Sequence, residues 1–155
     1  MNGRHLPVFL GTLFLLVLLP TAIGIAAEPL LSGNQACDSS ADSFLAARLA
    51  VWQQRLKLES WTISIVRSDP SDLKPDTLGN IHWDADKKTA VIRVLDASHY
   101  PLPCPAAFED MEFTIVHELI HLELSSLPRS QASRREEEHA VNQITDALLS
   151  LDRRK

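Results

Sequence analysis

His117, Glu118 and His121 are spaced as His-Glu-x-x-His inside a stretch whose apolar residues recur at helical intervals. Positions i and i+4 of a helix share a face, so both imidazoles project the same way, and two neutral imidazoles so placed can bind one zinc ion. Glu118 then stands where a carboxylate can take a proton from a water that the metal activates. The flanks Phe113-Thr114-Ile115-Val116 and Leu122-Glu123-Leu124, with Leu119 and Ile120 between the histidines, are apolar enough for a buried helix. The chemistry expected from this spacing is metal-assisted hydrolysis, with Zn2+ as the cofactor, His117 and His121 as ligands and Glu118 as the catalytic base.

Two histidines do not complete a catalytic zinc site, which takes three protein ligands and keeps one position open. The third ligand is expected on an element that packs against the motif helix, and Glu136-Glu137-Glu138-His139 opens the remaining helical stretch. Glu138 lies three residues before Val141 and Glu137 four before it, so both can face inward while Glu136 is more peripheral. Glu138 is the preferred metal ligand, Glu137 the alternative, and His139 ranks behind both. The rest of the glutamate run reads as a solvated first turn that compensates the helix dipole. Glu123 reads as solvated rather than as a hydrogen-bond partner of a ligand. An oxyanion needs a donor besides the metal, and His99, Tyr100 and His82 are the candidates.

The elements that must hold these groups follow from periodicity. Residues 38–58 carry Phe44, Leu45, Leu49, Trp52 and Leu56 at helical intervals, with Asp38, Ser39 and Ser40 as capping residues. Residues 61–66 switch to period two, with Trp61, Ile63 and Ile65 on one side, which predicts a half-buried strand. Residues 68–79 hold Pro70, Pro75 and Gly79 and form a loop; 80–84 and 89–95 then read as a β-hairpin around the polar turn 85–88. Prolines break 96–105, with Pro105 suited to a first helical turn, and helices are predicted over 106–124 and 136–149, joined by the polar run 129–135. Trp52, Trp61 and Trp83 fall on core faces and read as packing residues. The fold class is α+β: an N-terminal helix, a small mostly antiparallel sheet, the motif helix and a glutamate-bearing C-terminal helix.

With that element order and the motif of His117, Glu118 and His121, the chain resembles zincin metallopeptidases of the gluzincin type. Those enzymes place a glutamate ligand on the helix after His-Glu-x-x-His. The closing helix, Glu138-His139-Ala140-Val141 followed by Ile144, Leu148 and Leu149, is similar to that of small ImmA/IrrE-like and phage-associated zinc peptidases. A metzincin would need a histidine at position 127, which is Leu127. The resemblance implies a single minimal zincin-like domain over 28–155 that hydrolyses a peptide or protein substrate, with one strand of the 80–95 hairpin aligning it backbone to backbone.

Residues 6–27 carry no charge and follow Arg4 and His5, the layout of a secretory signal peptide with small residues before Glu28. An uncleaved N-terminal membrane anchor is the other reading, since a spanning helix needs about 20 apolar residues. Either way the domain is expected outside the cytoplasm, secreted or periplasmic, touching a membrane only through an uncleaved segment. Cys37 and Cys104 are the only cysteines, and in an oxidising compartment they read as a structural disulfide rather than as zinc ligands. A bridge closing so long a loop is worth roughly 4 kcal/mol on the chain-entropy model. With 15 basic and 20 acidic residues and no basic patch, nucleic acid is not an expected partner. The five scattered glycines form no nucleotide-binding pattern. The rival function is a catalytically silent zincin-like domain that binds another exported protein, since no second lobe walls a cleft.

Overall fold

The computed structural model describes residues 33–128 and 130–154. The signal or anchor expected over 1–27 lies outside the described residues. The fold is α+β, with three helices and a three-stranded mixed sheet.

Helix α1 (Gly33–Arg55) buries Ala41, Leu45 and Trp52 along one stripe. It starts ahead of the expected caps, whose side chains do other work: the Asp38 carboxylate pairs with Arg67, and the Ser40 hydroxyl donates to the Cys37 carbonyl at 3.2 Å. It also stops short of residue 58, because Lys57 turns left-handed (φ 60°) and ends the helix, letting Leu58 return to the core.

Strands β1 (Thr62–Ser68), β2 (Gly79–Asp84) and β3 (Thr89–Leu95) pair in the order β1-β3-β2. The hairpin β2–β3 is antiparallel as expected. Its turn is held by the Asp84 carboxylate, which accepts from the backbone N–H of Asp86 and Lys87 at 3.1 Å each. β1 joins the other side of β3 in parallel, Ile65 opposite Ile92, because the connection after β1 crosses to the far edge before β2 begins. Alternation then sends Ile63, Ile65, Ile81, Ala90, Ile92 and Val94 toward the helices, while Thr62, Ser64, His82 and Thr89 stay exposed on the other face. β2 is left as an edge.

Helix α2 (Cys104–Glu123) has Pro105 in its first turn and is packed by α1, the sheet and α3, burying Met111, Ile115, Val116, Leu119 and Leu122. The Cys37–Cys104 disulfide, with Cα atoms 5.3 Å apart, ties its start to α1, and Phe44 stacks on Phe108 at 4.5 Å between ring centroids. Helix α3 (Gln131–Asp152) lines up Val141, Thr145 and Leu149 against the core. It begins five residues before the expected start. A reciprocal capping box opens it, Ser133 N–H to Ser130 Oγ at 3.1 Å and Ser130 N–H to Ser133 Oγ at 2.7 Å. The first turns are polar all round, which is why no apolar period marked them.

The three helices are latched by one buried carboxylate. Glu112 on α2 accepts from Trp52 Nε1 at 2.7 Å and from the Arg48 guanidinium, and Arg48 with Arg55 also holds Asp152 of α3, at 2.8 and 2.7 Å. Arg48→Met leaves the Glu112 charge buried with Trp52 alone, so we expect a loss of about 3 kcal/mol. Urea unfolding with the disulfide intact measures it, and a midpoint equal to the parent's contradicts the latch.

Candidate metal centre

α2 carries His117, Glu118 and His121 on the strip facing a cleft, and α3 crosses it so that Glu137 and Glu138 come down over the imidazoles. His117 Nε2 and His121 Nε2 stand 3.0 Å apart, and Glu138 Oε2 is 3.4 Å from each. For a tetrahedral ion bound at about 2.0–2.1 Å, neighbouring ligand atoms lie about 3.3 Å apart, so this triangle has the dimensions of a metal's ligand set. His117, His121 and Glu138 could therefore hold a metal ion.

The two adjacent glutamates divide the work between them. Glu137 Oε1 sits 3.0 Å from His121 Nδ1, on the opposite side of the ring from Glu138. An Nδ1–H donating to Glu137 leaves the Nε2 lone pair of His121 free to face the metal position, the usual way a carboxylate fixes the tautomer and angle of a ligand. Exposure follows the roles: the Glu137 side chain is 15% exposed and that of Glu138 57%, at the mouth of the cleft. Among the described residues no carboxylate pairs with His117 Nδ1; Asn142, one turn beyond Glu138, lies alongside the ring. Burial pushes the His117 pKa below its ordinary value, and the charge of His121 pushes the same way against Glu138.

Glu118 is buried, and its carboxyl is raised to about 7, first by loss of solvent and then by repulsion from Glu138, against attraction from His121 and Lys74. A carboxylate at this value exchanges protons near neutral pH. The cleft beside it, about 930 Å³, is bounded by α2, α3, β2 and the loop before β2. β2 approaches this closely because Gly79 has no side chain: a Cβ there would run into Thr114 Cγ2 and come within 2.6 Å of the Arg93 carbonyl oxygen.

Not every expected group reaches the cleft. His82 lines it from β2, on an exposed position. His99 is exposed, 3.5 Å from Asp69, and Tyr100 is buried against Asp110 and Thr114 on α2, and neither lines the cleft. Glu123, Glu136 and His139 are exposed. Trp52 and Trp61 are core, but Trp83 both packs on the core and lines the cleft. Sequence reasoning passed over Asn142, Phe113, Lys74 and Arg134, all of which line the cleft. Arg134, Glu138 and Asn142 follow one another at i+4, a signal hidden by the late helix start. No family model, curated protein or solved structure matches the chain.

Removing the Glu137 carboxylate without touching a ligand should weaken metal binding 10- to 100-fold. Competition of Glu137→Ala against a chelator of known affinity reads this, and parent-like affinity would remove Glu137 from the site. In metal-free protein, His117 should titrate below the ordinary 6.5. The neutral imidazole then stabilises the fold above pH 6.5, an advantage lost as pH falls through the lower folded value. NMR of the ring protons checks it, and a midpoint above 6.5 contradicts the burial argument.

Proposed function

We propose that this chain is an exported zinc-dependent peptidase of the gluzincin kind. His117, His121 and Glu138 hold the zinc, and Glu118 is the general base. The observation that carries the reading is the convergence of His117 Nε2, His121 Nε2 and Glu138 Oε2 beside the buried carboxylate of Glu118. Two imidazoles with one carboxylate suit zinc, whereas calcium and magnesium take all-oxygen sets. Bound there, zinc supplies Lewis acidity toward a substrate carbonyl and toward water.

Glu118 takes the proton of the attacking water and returns it to the leaving amine. Glu137 keeps the His121 ring at its angle throughout. Because β2 is paired on one side only, its outer edge offers backbone donors and acceptors along the cleft, and an extended peptide can lie against them. The Cys37–Cys104 disulfide fits an extracellular protein. Among the described residues no helix is long and apolar enough to cross a membrane.

Elemental analysis should find one zinc per chain in the parent after incubation with zinc and none in His117→Ala. Glu118→Gln should keep the zinc yet cleave peptides at least about 100-fold more slowly. A folded parent without metal sinks the reading. A zinc-loaded parent that cleaves no peptide in a broad library favours the silent binding domain instead.

A further inference from the structure

Two cations in the cleft have no task in the chemistry above. Lys74, on the loop between β1 and β2, lies close enough to Glu118 to oppose the effect of burial on its carboxyl. Arg134 lies one turn before Glu138 on α3, so the two cations line the cleft from different walls. Elsewhere among the described residues, Arg48, Arg55, Arg67, Arg153 and Lys87 each face a carboxylate, Lys88 lies over the Trp61 ring, and Lys57 and Arg154 are exposed outside the cleft. Lys74 and Arg134 have no ion pair among the described residues, although carboxylates line the same cleft. Those carboxylates are engaged otherwise: Glu137 and Glu138 face the imidazoles and Glu118 is buried, which leaves Asp76 on the exposed loop.

We infer that Lys74 and Arg134 form a carboxylate-binding subsite beside the metal, so that the preferred substrates are peptides with a carboxylate next to the scissile bond. The inference rests on the peptidase reading and names its substrate class. The guanidinium of Arg134 offers a planar fork that a carboxylate can meet with two hydrogen bonds, and Lys74 adds a compact charge from the opposite wall. In a cleft this open, a charge anchor orients a peptide that shape alone would hold loosely. The carboxylate has two sources, an acidic side chain or the C-terminus of the peptide.

The test is binding of short fluorescent peptides to the zinc-loaded Glu118→Gln protein, read by anisotropy at low salt. One peptide carries Glu beside the scissile position and an amidated C-terminus, a second carries Gln there, and a third is the Gln peptide with a free C-terminus. We expect a carboxylate peptide to bind at least about tenfold tighter than the Gln amide, an advantage that shrinks in about 1 M salt, where the screening length is about 3 Å. Which of the two gains shows the source. Adding Lys74→Met and Arg134→Met should bring the ratio toward one, with the melting temperature confirming the fold. Equal affinity for all three peptides, or an advantage that survives the double substitution, overturns the subsite. Cleavage by the parent enzyme separates the two readings. Selective binding without cleavage sinks the peptidase and leaves the subsite, whereas cleavage without selectivity sinks the subsite alone.

Discussion

Every group at the centre depends on α2 being clamped by α1 and the sheet on one flank and by α3 on the other, with one strip left to the cleft. Met111, Ile115, Val116, Leu119 and Leu122 take up the clamped faces. Phe113, His117, Glu118 and His121 share the remaining strip, where helical spacing stacks them toward β2 and α3. Because packed interiors resist small displacements, the imidazoles are aimed by the core behind them rather than by their own flexibility. The disulfide and the Glu112 latch act on this clamp from outside the cleft, one at the start of α2 and one across its middle.

The same burial that fixes α2 sets the electrostatics of its polar residues. Glu112 and Glu118 are both withdrawn from solvent on one helix, yet they meet opposite fates. Glu112 is met by Arg48 and Trp52 and is spent on holding helices together. For Glu118 the attraction of His121 and Lys74 only partly offsets desolvation, so in the metal-free protein its carboxyl is raised to about 7. Two carboxylates of equal intrinsic strength thus end in different electrostatic settings, set by their neighbours. Glu137 and Glu138 repeat the division one layer up, on either side of the His121 ring.

Much of the arrangement was legible in the residues. His117, His121 and Glu118 follow from five consecutive positions, and the stripe set by Val141 narrows the third candidate to Glu138 or Glu137. The helices of the apolar stretches and the hairpin were visible because burial imposes periods of 3.6 and 2. What was missed lies where burial imposes no period. The first turns of α3 are polar on every side, so periodicity starts the helix only at 136 and places Arg134 in a connection. Nearness in sequence points Tyr100 and His99 toward the site, although neither lines the cleft.

By itself the sequence determined which residue types could bind a metal, their helical spacing and the cysteine pair, because these are properties of local geometry and of residue chemistry. The tertiary structure decided the rest. The angle at which α3 crosses α2 set Glu138 beside the Nε2 atoms of His117 and His121 and Glu137 beside Nδ1 of His121, two neighbours that spacing alone left open. The crossover after β1 made β2 the edge along the cleft, and the missing side chain of Gly79 let it come close to α2. Each of these depends on contacts between segments far apart in the chain, and no local period encodes which distant surface a residue will meet.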